Sequence, residues 1–347
     1  KGVHHILSEV KDITTNEEGI EHLILQDGSK ITADLFIDCT GFTSLLMDKT
    51  LKEPFDSYED ILPNNSAWAT RIPYTDKEKE LTTYTNCTAI SNGWVWNIPL
   101  WSRIGSGYVY SDRYITDEEA LIEFKEHLIE KGYKDVEDLE YKKIKMRIGL
   151  HRRLWVKNVC AIGLSAGFIE PLESNGLLIT HEFLFYLIRT LHRGHISQFD
   201  KDNFTAICKS KFRELAEFVS FHYALSHRDD SEYWREIGSR EFASELIEQK
   251  AEPYINGFNT GVFERIRGYS FNDNPNAGLH CIAAGLNWAP TDRPSLIYEN
   301  CNRHYDFKNR FEKYVNMLDK RKNQWKIEVQ HCLSPYEFLK GNFNYED

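Results

Sequence analysis

The 347-residue sequence has no Cys-x-x-Cys pair, no surplus of basic charge and no apolar run of membrane-spanning length. Its seven cysteines (Cys39, Cys87, Cys160, Cys208, Cys281, Cys301 and Cys332) are scattered and odd in number, which speaks against a disulfide framework and a zinc ribbon. A reducing cytoplasm fits that usage. Lys and Arg total 42 against 53 Asp and Glu, a net charge of −11, so a general nucleic-acid binder or an anionic-membrane binder is disfavoured. The apolar run after Gly176 is interrupted by Thr180, His181 and Glu182, short of the roughly 18 apolar residues that a membrane span needs. No stretch resembles a secretory signal. His4, His5, His151, His181, His222 and His227 show no His-Glu-x-x-His spacing and read as surface or core histidines, with no metal site. There is also no Gly-x-Gly-x-x-Gly turn of the kind that cradles a dinucleotide pyrophosphate, no internal repeat and no low-complexity tract.

What is present suffices for a sizeable core: 41% of residues are apolar, and the length allows roughly two domains. Residues 3 to 38 read as short strands (His5 to Leu7, Glu9 to Ile13, Glu21 to Leu25, Ile31 to Ile37), with a hairpin turn at Asp27-Gly28. Residues 45 to 150 alternate like an antiparallel sheet, as in Ser66 to Ile72 and Tyr108 to Tyr110. One helix interrupts it, opened by the capping box Thr116 to Glu119. Val159 to Gly163 reads as a short buried strand. From residue 177 onward the pattern is mostly helical, with Phe204, Ile207, Phe212, Leu215, Phe218, Val219 and His222 in register, then Phe242, Leu246 and Ile247, then Phe311 to Leu318.

Two motifs carry the functional information. In Gly93-Trp94-Val95-Trp96-Asn97-Ile98-Pro99, residues two apart face the same side of a strand, so Trp94 and Trp96 present adjacent indoles, and Pro99 is expected to end regular pairing. A strand burying two aromatics in a core has the same spacing. In Phe168-Ile169-Glu170-Pro171-Leu172-Glu173-Ser174-Asn175-Gly176, a helix follows at once. Its apolar positions Leu177, Leu178, Leu184, Leu187, Ile188 and Leu191 predict a broad buried face. Ser174 is the expected N-cap, and the amides of Asn175, Gly176 and Leu177 would form an anion site at the helix start, as they do at any cap that binds only water. Gly176 allows close approach to the backbone.

Together these motifs resemble the flavin-dependent halogenases of the tryptophan halogenase family, from the first residues to about Asn287. Further matching segments are Ala33 to Gly41, Leu51 to Phe55, Gly105 to Val109, Ile162 to Ser165, His222-Tyr223, Arg228 to Asp230 and Cys281 to Leu286. The resemblance implies an α/β (α+β) fold: a flavin monooxygenase-like FAD domain, an antiparallel substrate sheet and a helical C-terminal region. The remainder of the FAD domain is expected at 1–45 and 151–195, the substrate-side sheet at 46–150 and the helical substrate-binding region at 196–347. The FAD fingerprint and the family's catalytic lysine are expected upstream, so the chain reads as the C-terminal two-thirds or so of such an enzyme.

The resemblance further implies that reduced FAD, supplied as FADH2 by a separate reductase, combines with O2 and a halide ion to make hypohalous acid, which halogenates an aromatic substrate. Glu173 corresponds to the catalytic glutamate; a first-turn acid favoured by the helix dipole is its plain alternative. Glu170 reads as structural. Trp94 and Trp96 would wall the flavin from the arene. Ser174, Asn175 and Gly176 would hold the halide, Leu164 and Leu177 would line the flavin beside Gly41 and Gly163, and Val10 would meet the adenine end. Two departures bear on specificity: asparagine stands at 175 where threonine is usual, and Phe271 to Ala277 lacks the residues that grip a free amino acid, leaving only Phe271 to stack on a ring. Free tryptophan is therefore not the expected substrate; the halide stays open among chloride, bromide and iodide, and a looser pocket is expected to suit the more easily oxidised bromide or iodide. A homo-oligomer is expected, with no nucleic-acid or membrane partner. An aromatic hydroxylase and a non-catalytic flavin-binding relative are the competing readings.

Overall fold

The computed structural model describes residues 2–239, 282, 285–286 and 307–343. Phe271, Phe242, Leu246 and Ile247 lie outside the described residues. The chain divides into two compact units, one of 1–67, 110–116 and 144–220, the other of 68–109, 117–143 and 221–347.

The first unit opens with an antiparallel meander, β1 (Val10–Asn16), β2 (Gly19–Leu25) and β3 (Lys30–Ile31). The Asp27-Gly28 turn joins its last two strands: Asp27 accepts from the Ser29 amide at 2.9 Å, and Gly28 takes φ +82. His5 to Leu7 do not form the expected strand. With Ile6 and Leu7 exposed and no strand among the described residues pairing them, an isolated extended segment gains nothing from adopting β geometry.

The element that matters most for a site is the sheet of β4 (Phe36–Asp38) and β13 (Val159–Ala161), with β12 (Trp155–Val156) beyond it. β4 and β13 are parallel, pairing Phe36 with Val159 and Asp38 with Ala161. Val159, Cys160 and Ala161 are fully buried, as a parallel strand covered on both faces requires. A small antiparallel sheet of β5 (Phe55–Ser57), β11 (Gly149–His151) and β14 (Gly167–Phe168) lies in the same unit.

Helix α3 (Gly176–Leu191) follows the second motif, and α4 (Gln198–Ala224) runs after it. The buried stripe of α3 is Ile179, Phe183, Leu187 and Thr190. Of the positions expected to be buried, Leu187 is, whereas the others are open, with Leu177 75%, Leu178 47% and Ile188 60% exposed. A helix apolar on several sides does not declare which stripe packs; tertiary contacts decide.

The second unit rests on a five-stranded sheet in the order β10-β6-β9-β8-β7, formed by β6 (Ser66–Ile72), β7 (Asn86–Ile90), β8 (Gly93–Leu100), β9 (Arg103–Tyr110) and β10 (Lys142–Lys145). Pro99 does not terminate β8. The β7 pairing stops at Asn86 opposite Asn97, so Pro99 lies past the end of that neighbour, where its missing N–H breaks no ladder bond. Short helix α1 (Lys77–Glu80), α2 (Asp117–Glu130) and α5 (Glu232–Ser239) belong to this unit, with α6 (Phe307–Val329) and α7 (Pro335–Phe343) near the chain end. Among the described residues no helix is long and apolar enough to cross a membrane.

Candidate functional site

At the carboxyl ends of β4 and β13 the chain makes two 3-10 turns, Gly41–Thr43 and Gly163–Ser165, which pack on each other, and the start of α3 packs on the second. This is the edge of a parallel sheet where α/β folds hold ligands. Both glycines have φ +70, the left-handed region that side chains rarely adopt. A Cβ at Gly41 or Gly176 would have no heavy atom within 4 Å, and one at Gly163 would meet only Thr180 Oγ1 at 3.6 Å. Leu164 is exposed beside them, as are Leu177 and Leu178. Three bare glycines beside three exposed leucines form an open, apolar shelf with accessible backbone, which fits a flat ring system carrying an anionic partner.

The shelf is held by a buried polar framework that sequence reading did not single out. The fully buried Asp38 carboxylate accepts from Thr40 N (3.0 Å) and Thr40 Oγ1 (2.6 Å) through Oδ1, and from Leu46 N (2.8 Å) and Met47 N (2.9 Å) through Oδ2. Four donors on one carboxylate fix the turn that presents Gly41 and start the π-turn Leu45–Thr50. Ser165 Oγ binds the carbonyls of Asp38 and Ile162, tying the two turns together. Ser44 Oγ donates to Ser165 O at 2.9 Å and lies 3.2 Å from Nε2 of the buried His151. His151 Nδ1 faces the carbonyl oxygens of Glu53 (3.1 Å) and Pro54 (3.3 Å), so that nitrogen carries the proton. Burial, then the nearby Arg147 guanidinium, lowers the His151 pKa below its ordinary range. The buried Glu53 is itself clamped by Arg153, with Nε to Oε1 at 3.0 Å and Nη2 to Oε2 at 2.5 Å. The signal was present in the Leu51 to Phe55 and Ala33 to Gly41 segments, yet composition says nothing about which carboxylate is buried.

The second motif forms a 3-10 turn, Pro171–Glu173, and then α3. Ser174 is not the N-cap. Its backbone is left-handed (φ 53, ψ 30) and its amide closes the turn on Pro171 O at 2.9 Å, which passes the cap position to Asn175. Asn175 makes no side-chain cap bond; it is buried, and its Nδ2 has no hydrogen-bond partner. The first amides of a helix have no intrahelical acceptor, and those at Asn175, Gly176 and Leu177 stand at the start of α3. Glu173 and Ser174 are exposed next to it, whereas Glu170 is fully buried.

In the second unit, Trp94 and Trp96 lie on one face of β8, their ring centroids 6.2 Å apart and tilted by 58°. Trp94 is buried and Trp96 half-buried. Trp96 rests on Gly107 of the neighbouring strand, where a Cβ would fall 2.1 Å from the ring. That glycine is what makes room for the second indole. Val10 is half-buried at the start of β1, opposite Leu25, in the separate β1–β3 meander. Among the described residues no group of His, Cys, Asp and Glu is arranged to hold a metal ion.

Comparison with known proteins places this geometry. The chain is 36% identical over 250 residues to tryptophan 6-halogenase SttH of Streptomyces toxytricini, covering 72% of this chain and 47% of that protein. The crystal structure of SttH superposes with a TM-score of 0.66 over 72% of this chain and 48% of its own. Tryptophan 7-halogenase RebH of Lentzea aerocolonigenes is 33% identical over 304 residues, covering 85% of this chain and 56% of RebH. The apo structure of VirX1 is 35% identical, with a TM-score of 0.85 over 98% of this chain and 65% of VirX1. The chain thus spans about half the length of the curated relatives it matches. Their fold is the α/β flavin-dependent halogenase fold, and a family model described as tryptophan halogenase matches residues 1–292. On the strength of that family match and of these relatives, the chain belongs to the tryptophan halogenase family.

Proposed function

We propose that this chain is part of a flavin-dependent halogenase that makes hypohalous acid and uses it to halogenate an aromatic substrate. The observation that carries the reading is the glycine and leucine shelf adjoining the uncapped start of α3. FAD, bound there as FADH2 delivered by a separate reductase, supplies the oxidising chemistry with O2 and halide. Gly41 and Gly163 let the ring system approach the backbone, and Leu164 and Leu177 cover it with apolar surface. Val10 meets the adenine end. The amides of Asn175 and Gly176, beside Ser174, hold the halide, where the helix dipole also favours an anion. Leaving the N-cap side chain out of that position keeps the donors available.

Glu173 polarises the electrophile and stabilises the cationic arene, an electrostatic task for a preorganised carboxylate. Trp94 and Trp96 exclude water and keep the arene from the flavin. In this reading 1–45 and 151–195 belong to the FAD domain, 46–150 is the substrate-side platform and 196–347 contributes to the substrate region, including Phe271. The arene is a phenol, aniline or simple indole in preference to free tryptophan. The protein works in the cytoplasm as a homo-oligomer.

The test is incubation of the full-length protein with a flavin reductase, NADH, FAD and each halide against a panel of arenes, read by mass spectrometry. Halide-dependent mass gain supports the reading. Oxygen insertion without halogen would assign the chain to the hydroxylases.

A further inference from the structure

The face of the five-stranded sheet opposite the tryptophan pair carries a cavity of about 450 Å³. Its position follows from strand alternation. Trp96 lies on the Gly107 face, so the next residue, Asn97, points to the other side. Asn86 is paired with Asn97 and Thr88 with Val95, which puts both on that same side. The ring contact of Tyr108 with Phe124 sets α2 on this face too, and the segment after α2, Lys131 to Lys134, forms one wall of the cavity. Gly132 turns left-handed there (φ +86), with nothing within 4 Å of a Cβ. Glu80 and Thr82 close another side; Glu80 Oε1 is occupied by the amides of Thr75 (3.0 Å) and Asp76 (2.5 Å).

The lining chemistry is specific. Asn97 Oδ1 is buried and accepts no hydrogen bond, which leaves a polar group without its partner. Lys131 and Lys134 form no ion pair among the described residues, and the single carboxylate of the lining is already engaged by backbone amides. The rest is hydroxyl, amide and phenol from Thr82, Thr88, Asn86, Tyr84 and Tyr133, with Pro99 and Ile104 as apolar wall. Many neutral hydrogen-bonding groups, two cations and a donor-seeking amide oxygen match a molecule with several hydroxyls and one carboxylate.

We propose that this cavity is a second ligand site, independent of the halogenation reading, that binds a small polyhydroxylated carboxylate of the sugar-acid class. Its carboxylate pairs with Lys131 and Lys134, one hydroxyl donates to Asn97 Oδ1, and Tyr133 and Tyr84 flank the carbon skeleton. A cavity of this volume is within the range that holds a small ligand.

The test is isothermal titration of the full chain with D-glucuronate, D-glucose and acetate as three separate probes. Saturable binding of glucuronate at least about tenfold tighter than of glucose or acetate is expected, since a hydrogen bond to a charged group is worth that much or more. Lys131→Ala/Lys134→Ala should bring glucuronate down to the level of glucose, and Asn97→Ala should weaken it several-fold. Circular dichroism shows whether each variant is folded; if one is not, the three-probe comparison on the unaltered chain still decides. No saturable glucuronate binding, equal binding of the three probes, or glucuronate binding that survives the double lysine substitution would overturn the proposal.

Discussion

The six-membered ring of Trp96 lies against the bare Cα of Gly107: a Cβ there would fall 2.1 Å from Cη2 and 2.2 Å from Cζ2 of Trp96, and 2.5 Å from the Trp68 carbonyl oxygen. Gly107 has no positive φ, so space alone demands glycine. Gly107→Ala is expected to lower stability by about 1–3 kcal/mol, the usual cost of overpacking, and to shift tryptophan fluorescence as the indole moves. Gly105→Ala, where a Cβ would meet only Ile98 O at 3.8 Å, should be close to neutral. Denaturant unfolding of the two variants side by side checks the pair, and equal loss would show that strand flexibility, not the ring contact, sets the cost.

Asp38→Asn should be among the most damaging conservative changes in the first unit. The carboxylate accepts four hydrogen bonds while fully buried, and an amide would turn an NH2 toward donors. A loss of about 3 kcal/mol or more is expected, with FAD affinity falling as the Gly41 turn loosens. Thermal melting and flavin titration of the full-length protein measure the two effects.

Stability should fall as pH drops below about 6.5, through His151. Its pKa is lowered from the ordinary 6.5, chiefly by burial, so below that value the unfolded chain binds a proton that the folded chain does not. The contribution is fully present above the ordinary pKa. It is lost as pH falls toward the depressed native value, at no more than about 1.4 kcal/mol per pH unit for one proton. His127, whose pKa is also lowered by burial, adds to the slope. His151→Gln should flatten the slope of unfolding free energy between pH 7 and 5 by one proton; an unchanged slope would mean that His151 is charged in the fold.

Gly176→Val separates a halide site from a packing site. No heavy atom lies within 4 Å of a Cβ at 176, and valine costs a helix less than glycine, so the fold should be unharmed. Halide dependence of turnover in the full-length protein should be severely weakened, because a branched side chain blocks the backbone amides. Asn175→Ala, which removes a buried Nδ2 that has no partner, should leave stability equal or higher and shift halide preference modestly. Steady-state kinetics with chloride, bromide and iodide, beside thermal melts, would show either pattern.

Glu173→Gln should retain fold and FAD binding and lose halogenation by about 10²-fold or more, the usual scale for a preorganised electrostatic group. The side chain is exposed, so removing its charge costs little stability. Near-normal turnover would return Glu173 to the status of a helix-start acid.

A good deal of this molecule was legible in its residues. Alternation fixed the common face of Trp94 and Trp96, the β-propensity of Ser66 to Ile72 named β6, and the buried-strand pattern of Val159 to Ala161 named β13. These signals are local: a period of two, or a short run without polar residues, needs no knowledge of the partner. The order of the two motifs along the chain likewise carries the family. Tertiary structure alone decided the rest. It buried Ile179, Phe183 and Leu187 of α3 and left Leu177, Leu178 and Ile188 open, because burial depends on what lies opposite. It moved the helix cap from Ser174 to Asn175, because the left-handed turn after Glu173 uses the serine amide. It also gathered Asp38, Ser44, His151 and Ser165, far apart in the chain, into one buried network under the glycine shelf. A single residue's chemistry states what bonds it can make; only the folded chain determines which partner reaches it and how much water is left to compete.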